Sequence, residues 1–147
     1  MNIGIVTTWF ERGAAYVSRI YFDLLVKEGH SVFIYARGGK RPPIDSKKWN
    51  EDYVTRDETF QDSRINKRKF FRWIKENRIE AILFNEQQDF RIVGETKKEF
   101  SKIKLAAYVD YYTERSLKWF ELYDFVICNT HRHMQAMNNH PQKYYLR

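Results

Sequence analysis

Short apolar runs alternate with segments of helical periodicity along the chain, and this alternation limits the possible folds more than any other feature. Asn2–Thr7 is a β-branched apolar run that is too short for a helix, so it predicts a buried strand. Ala14–Lys27 then places apolar residues on one helical stripe, and Gly29 ends that helix before the next apolar run, Ser31–Ala36. A strand, a helix and a strand in this order form a βαβ unit, which implies parallel pairing and a right-handed crossover.

The same alternation continues to the end of the chain. Further strands are predicted at Tyr53–Thr55, Ala81–Phe84, Lys104–Val109, Asp124–Cys128 and Tyr144–Leu146. Helices are predicted at Arg64–Arg78, Asp89–Lys102 (interrupted near Gly94), Thr113–Leu122 and His131–Asn138 (capped by Thr130). Arg37–Lys48, with two glycines and two prolines, is predicted to be a loop. The pattern predicts an α/β fold of three layers, α/β/α, around a parallel sheet of about six strands.

Helical spacing also predicts which residues face the core. Apolar side chains that recur three or four positions apart form one stripe on a helix, and that stripe packs on the sheet. The predicted inward residues are Val17, Ile20, Tyr21, Leu24 and Leu25 in the first helix, Ile65, Phe70, Trp73 and Ile74 in the second, and Leu117 and Phe120 in the fourth.

Composition excludes several classes of protein. The chain has 147 residues, the size of one domain, and 43% hydrophobic with 17% aromatic content is too much for a disordered protein. A single cysteine, Cys128, excludes an internal disulfide framework and fits a reducing compartment. The sequence has neither an apolar stretch of roughly 20 residues nor the basic-then-apolar start of a signal peptide. We therefore expect one compact cytoplasmic domain, residues 1–147, with a net charge of +7.

Four segments follow predicted strands and form the predicted mouth of a site, because ligands of open parallel sheets lie beyond the carboxyl ends of the strands. They are Thr8–Ala14, Asn85–Asp89, Asp110–Glu114 and Asn129–His133. In the first segment, Gly13 precedes a helix whose opening N–H groups favour an anion. The segment is neither G-x-G-x-x-G nor G-x-x-x-x-G-K-[ST], which disfavours a dinucleotide site and excludes a P-loop.

Two carboxylates at predicted strand ends are the candidates for chemistry. Asp110 and Glu86 can accept hydrogen bonds from sugar hydroxyls, and either can take a proton from an attacking hydroxyl. The alternative is structural: Asp110 caps the turn that follows it, and Glu86 is solvated. Tyr111 and Tyr112 either form a sugar platform beside Asp110 or divide between core and surface.

Cys128, His131 and His133 do not predict a metal site. Zinc needs ligands that converge on one point, whereas two histidines that lie two positions apart on a helix diverge. Cys128 is predicted to be a buried strand residue.

Basic residues concentrate in two segments. Arg64–Arg78 carries a net charge of +6 and Arg37–Lys48 a net charge of +4, together more than the excess of the whole chain. Such segments meet anionic lipid headgroups, a phosphate-bearing acceptor or nucleic acid, although a solvated helix face is the commoner explanation. Phe70, Phe71 and Trp73 interleave with the charges, which favours contact with a membrane surface unless they fill the core.

Several segments together resemble a known family. Ile3–Phe10, Gly13–Val17, Leu24–Val32, Ile79–Phe84 and Tyr123–Thr130 match its motifs in order and spacing. They are similar to the N-terminal domain of the group 1 (family 4-like) glycosyltransferases of the GT-B fold. The resemblance implies a Rossmann-like, acceptor-side half of a two-domain enzyme that binds its nucleotide-sugar mostly on the missing C-terminal domain. It also implies a retaining, metal-independent transfer and no turnover by this half alone.

The resemblance also implies roles for residues. Asp110 takes the catalytic position, although the histidine that precedes it in many family members is Val109 here. Substrate-binding roles are implied for Arg12, Gly13, Ala14, Glu86, Tyr111 and Thr130. In the family, the position of Arg12 is a glycine.

The implied partners are a nucleotide-sugar and a glycan or lipid-linked acceptor of the bacterial cell envelope. Arg64–Arg78 is expected to contact the inner face of the membrane. We expect no nucleic acid in this reading, since no recognition helix, RNP-like or KH-like signature is present. The alternative function is a non-catalytic basic module that binds a polyanion such as nucleic acid or anionic lipid.

Overall fold

The computed structural model describes residues 1–38, 49–57 and 63–146, and its centre is one parallel sheet of seven strands. The strands are β1 Asn2–Thr8, β2 Ser31–Arg37, β3 Val54–Arg56, β4 Ala81–Asn85, β5 Lys104–Val109, β6 Phe125–Cys128 and β7 Lys143–Tyr145. Their order is β3-β2-β1-β4-β5-β6-β7, and every neighbouring pair is parallel. The predicted α/β class and parallel pairing are confirmed. The loop predicted at Arg37–Lys48 lies outside the described residues from position 39 to position 48.

Within residues 1–38, 49–57 and 63–146, the elements between these strands include four α-helices and a 3₁₀ helix. They are α1 Gly13–Lys27, α2 Lys67–Glu76, α3 Phe90–Glu99, the 3₁₀ helix Leu117–Leu122, and α4 His131–Ala136. Gly29 follows α1 with φ +83°, as predicted for the residue after a helix end. Among the residues that the structure describes, no helix has both the length and the apolar content needed to cross a bilayer.

Two predicted helices differ from the structure. α3 runs through Gly94 without interruption, because burial of Phe90, Ile92 and Val93 outweighs the low helix propensity of one glycine. The predicted α-helix Thr113–Leu122 is a turn followed by the 3₁₀ helix. Thr113 and Ser116 explain the change: the Thr113 N–H donates to Ser116 Oγ at 2.8 Å, and such local bonds compete with helical ones.

The strand order decides which helix lies on which face. β2 and β3 extend the sheet to one side of β1, and β4 to β7 extend it to the other side. Right-handed crossovers in opposite directions cover opposite faces. One face, which we call the α1 face, is therefore covered by α1. The other, which we call the α2–α3 face, carries α2, α3, the 3₁₀ helix and α4.

Large aromatic side chains fill the α2–α3 face. Phe70, Trp73 and Ile74 of α2 are buried there as predicted, and the rings of Phe70 and Trp73 stack at 5.6 Å. Gly4 of β1 lies directly beneath Trp73: a Cβ at this position would stand 2.5 Å from Trp73 Cη2. The strand needs glycine here because the indole occupies the space of a side chain.

The α1 face is packed differently, and the predicted stripe of α1 is partly wrong. Ile20 and Leu24 are 68% and 50% exposed. The residues of α1 that are fully buried are small: Ala14, Ala15 and Ser18. These residues let α1 approach the strands closely, and this rotates the two larger aliphatic side chains away from the sheet.

Candidate functional site

A polar cavity of about 380 Å³ opens at the carboxyl ends of the central strands. It is lined by Arg12, Arg37, Ser63, Glu86, Gln88, Asp110 and Tyr111. These residues follow or end β1, β2, β4 and β5, and Ser63 precedes α2. The cavity therefore lies where the strand order reverses, the position that open parallel sheets use for ligands, and its volume is that of a small-molecule site.

An ion pair spans the cavity between β1 and β4. Arg12 Nη2 lies 3.1 Å from Glu86 Oε2, and the Arg12 side chain is 45% exposed. Glu86 has φ +54°, a left-handed conformation that is costly for a residue with a side chain. Burial raises the pKa of Glu86 above its ordinary value, Arg12 opposes this, and the nearby Asp110 raises the pKa further.

A buried arginine holds the strained turn at Glu86. The Arg37 guanidinium donates to the carbonyl oxygens of Asn85 and Glu86 at 2.7 and 2.6 Å, and the residue is only 4% exposed. The interaction ties the end of β2 to the end of β4 across β1. Sequence reasoning assigned Arg37 to a loop and missed this role, although a cation directly after the apolar run Ser31–Ala36 was the available signal.

A chain of buried polar groups attaches the first turn of α1 to the same place. Asn85 Nδ2 donates to the Ala14 carbonyl and to Ser18 Oγ, both at 2.9 Å. Ser18 Oγ in turn donates to Thr7 Oγ1 at 2.8 Å. Ala14, predicted to bind substrate, contributes its backbone carbonyl to this chain and is not among the residues that line the cavity.

Asp110 is oriented from the next strand. Asn129 Nδ2 donates to Asp110 Oδ1 at 3.2 Å, and Asn129 Oδ1 pairs with His133 Nδ1. The His133 ring lies edge-on to Tyr112, 5.5 Å between centroids. Neither Asn129 nor His133 was predicted to act on Asp110, because the link depends on side-chain reach between two loops.

The predicted site residues separate into two groups. Arg12, Glu86, Asp110 and Tyr111 line the cavity together, and Tyr111 is 58% exposed. Gly13, Ala14 and Thr130 are not among its lining residues. A Cβ on Gly13 would meet nothing within 4 Å, and Thr130 Oγ1 accepts from the His133 N–H at 3.1 Å as the predicted cap of α4. The substrate roles of these three residues stay predictions.

Cys128, His131 and His133 do not converge on one point: Cys128 is buried in β6, and the two histidine rings contact other residues. Cys128 is buried, and burial raises the pKa of its thiol. His131 stacks on Tyr145 with the ring centroids 4.5 Å apart. In the part of the chain that the structure describes, no three His, Cys, Asp or Glu residues are grouped to hold a metal ion.

The cavity combines two guanidinium groups with two carboxylates. A phosphate can pair with Arg12, because a guanidinium binds phosphate oxygens bidentately. α1 begins beside it without a side-chain cap or an acidic residue in its first turn, which leaves the helix N-terminus open to an anion. Asp110 and Glu86 can accept hydrogen bonds from hydroxyls. The arrangement suits a ligand that carries both phosphate and sugar.

Comparison with known proteins finds likeness in structure alone. No protein-family model matches the sequence, and no curated protein does. An alpha-glucosyltransferase in complex with UDP and a 13-mer DNA containing an HMU base is similar over 100% of this chain and 42% of its own, with 14% identity and a TM-score of 0.66. An alpha-glucosyltransferase in complex with UDP is similar over 100% of this chain and 44% of its own, with 12% identity and a TM-score of 0.66.

A third solved structure is similar to this chain to about the same extent. It is an alpha-glucosyltransferase in complex with UDP-glucose and DNA containing an abasic site, similar over 99% of this chain and 42% of its own, with 12% identity and a TM-score of 0.62. The chain thus spans less than half the length of the enzymes it resembles. The Rossmann-like α/β fold is one that it shares with glycosyltransferases of the GT-B type.

Proposed function

We propose that this chain is the N-terminal, acceptor-side domain of a glycosyltransferase that transfers a sugar from a nucleotide-sugar to an acceptor. The observation that supports it best is the likeness over the whole chain to UDP-bound alpha-glucosyltransferases. A charged cavity at the strand ends agrees with it. Because the chain spans under half of those enzymes, we include in the proposal a C-terminal domain that holds most of the nucleotide, without which this half is inactive.

Four residues of the cavity take roles in the proposal. Arg12 and the opening N–H groups of α1 attract the diphosphate, and they stabilise the leaving phosphate as its charge develops. Asp110 accepts a hydrogen bond from a reacting hydroxyl and can take its proton. Glu86 holds Arg12 at 3.1 Å, and Tyr111 offers an exposed ring to the sugar.

Further details extend the proposal beyond the fold. Membership of group 1 (family 4-like), retention of configuration and metal independence follow the resemblance of Ile3–Phe10 and Tyr123–Thr130. A cytoplasmic location follows from the single cysteine, Cys128. The first acceptor class to test is a glycan or lipid-linked glycan. DNA is bound in two of the three similar structures, and it is the second class to test.

Titration of the labelled chain with UDP-glucose, followed by ¹H–¹⁵N NMR, tests the proposal. We expect saturable shifts at 8–14, 85–89 and 110–114, and smaller shifts with glucose, which lacks the diphosphate. Arg12→Ala should weaken binding about tenfold, the effect of one charge-assisted contact. The matched control Arg91→Ala removes an exposed arginine outside this cavity and should bind as the wild type does. Absence of shifts at the three segments would contradict the proposal.

A further inference from the structure

The outer side of α2 carries four exposed cations. We call Lys67, Arg68, Arg72 and Lys75 the α2 basic face; they surround the half-buried ring of Phe71 in a shallow depression of about 560 Å³. The two lysines face α3, where they lie 3.5 Å from Glu95 and 3.7 Å from Glu99. These are exposed pairs of little energy, which a stronger anion can replace.

The two arginines of this face are free within the described residues. Arg68 and Arg72 are exposed, lie one turn apart, and make no ion pair or hydrogen bond to the residues that the structure describes. Glu76 is the one acidic residue of α2. Glu76 lines the same depression, so the two free guanidinium groups and the two weakly paired ammonium groups outnumber the carboxylates and give the surface an excess of positive charge.

The aromatic residues of α2 argue against a membrane as the partner. Phe70 and Trp73, which interleave with the cations in the sequence, are 0% and 2% exposed because they fill the α2–α3 face. None of the exposed large hydrophobic side chains among the described residues lies on α2. A helix binds a bilayer strongly when it adds apolar insertion to charge. The apolar residue of α2 in the depression, Phe71, is half-buried against Phe100 with the ring centroids 5.1 Å apart, which leaves little apolar surface to insert.

We propose that the α2 basic face docks the sugar–phosphate backbone of nucleic acid. From Lys67 to Lys75 the face is about 12 Å long and carries four cations, which can together neutralise three or four phosphates. Arginine suits these groups because its planar fork pairs with two phosphate oxygens. The ring of Phe71 lies between the cations, where it contacts the apolar side of a sugar. The proposal differs from the sequence-based expectation that no nucleic acid is bound, and the binding experiment below decides between the two.

The proposal does not rest on the proposed function. The α2 basic face and the cavity share no lining residue, although Ser63 of the cavity lies only four positions before α2. A nucleic acid on the α2 basic face therefore need not occupy the cavity. UDP-glucose binding at the strand ends and nucleic acid binding at α2 are separate measurements, and either can fail alone.

Fluorescence anisotropy with a labelled DNA duplex of about 20 base pairs tests the docking surface. We expect micromolar affinity at about 50 mM salt, and a slope of about −3 in log affinity against log salt for three or four neutralised phosphates. Arg68→Glu with Arg72→Glu should reduce affinity about tenfold or more and make the slope shallower by about 2. Arg68→Gln with Arg72→Gln, which adds no negative charge, should give a smaller loss in the same direction.

Controls separate this surface from the general charge of the chain. Arg115→Glu with Arg132→Glu makes the same charge change at two exposed arginines outside α2, and it should leave most of the affinity. An equal loss in this control, or full binding by the α2 variant, would overturn the proposal. Sedimentation with phosphatidylserine vesicles gives the last comparison: tighter binding to vesicles than to duplex, at equal phosphate concentration, would assign the face to a membrane instead.

Discussion

The two faces of the sheet differ in the side chains that pack the helices against them. On the α2–α3 face, large rings such as Phe70 and Trp73 pack in one continuous apolar cluster. On the α1 face, small residues let α1 approach, and a buried polar chain from Asn85 through Ser18 fixes its first turn. The α1 face also has a buried apolar cluster, which includes Trp9 and Trp49, so both faces stabilise the domain. The polar chain is particular to the α1 face, where it contributes to stability and also positions the loops that form the cavity.

The largest expected effect is on the α2–α3 face. Phe70→Ala removes a side chain with no solvent exposure and leaves a cavity among Tyr35, Trp73 and Phe84. We expect the free energy of unfolding in urea to fall by about 3–5 kcal/mol. Phe71→Ala, at a half-buried ring on the same helix, should cost clearly less. Equal losses of unfolding free energy in the two variants would contradict the difference in burial between Phe70 and Phe71.

A smaller loss is expected when the polar chain is cut. Asn85→Ala leaves the Ala14 carbonyl and Ser18 Oγ without their donor, which should lower the free energy of unfolding by about 1–3 kcal/mol. Amide hydrogen exchange should show faster opening at the start of α1 than in α2. If both helices opened equally, the polar chain would not be a local support of the site.

The third prediction concerns how the stability of the protein depends on pH through Glu86, which follows Asn85 of the polar chain. Burial raises the pKa of Glu86 in the folded chain above the ordinary 4.5, so the folded state holds this proton to higher pH than the unfolded state does. The contribution of Glu86 to stability is therefore present at low pH and is lost as pH rises through the folded pKa. Urea unfolding of wild type and Glu86→Gln between about pH 4.5 and 7 should show the wild type losing stability relative to the variant. A gain in the stability of the wild type relative to Glu86→Gln over this pH range would contradict a raised pKa of Glu86.

The smallest effect is expected on the outside of α1. Ile20→Ala changes a side chain that is 68% exposed, so the free energy of unfolding should move by less than about 0.5 kcal/mol. Ile74→Ala makes the same chemical change at a side chain that is 2% exposed on α2, and it should cost about 2–5 kcal/mol. Similar values for the two variants would remove the contrast between the faces.

The sheet could be predicted because its information is local. Most of the strands are short apolar runs, and a βαβ order allows essentially one hand and one direction of pairing. The inward face of α2 was also predictable, since Phe70, Trp73 and Ile74 recur at helical spacing and are the buried residues of the helix. In α1 the rule failed at Ile20 and Leu24, because close packing on the sheet favours small residues over large aliphatic ones.

The candidate site could be predicted in position and only partly in composition. Arg12, Glu86 and Asp110 meet because each follows a parallel strand, and such ends share one edge of the sheet. Arg37 and the link from Asn129 to Asp110 were missed, since they depend on how far a side chain reaches across neighbouring strands. Those distances are properties of the folded molecule that residue spacing along the chain does not contain.

The central position of β1 in the sheet sets the order in which its two neighbouring strands can pair with it. Ile3 pairs with Val32 on one side and with Ala81 on the other, and the Asn2 N–H donates to Glu80 at 2.7 Å across 78 positions of sequence. During synthesis β1 can therefore pair with β2 before β4 has been made, while its other edge stays open to water or to a foreign strand. That edge is covered only when β4 has emerged and has paired with β1.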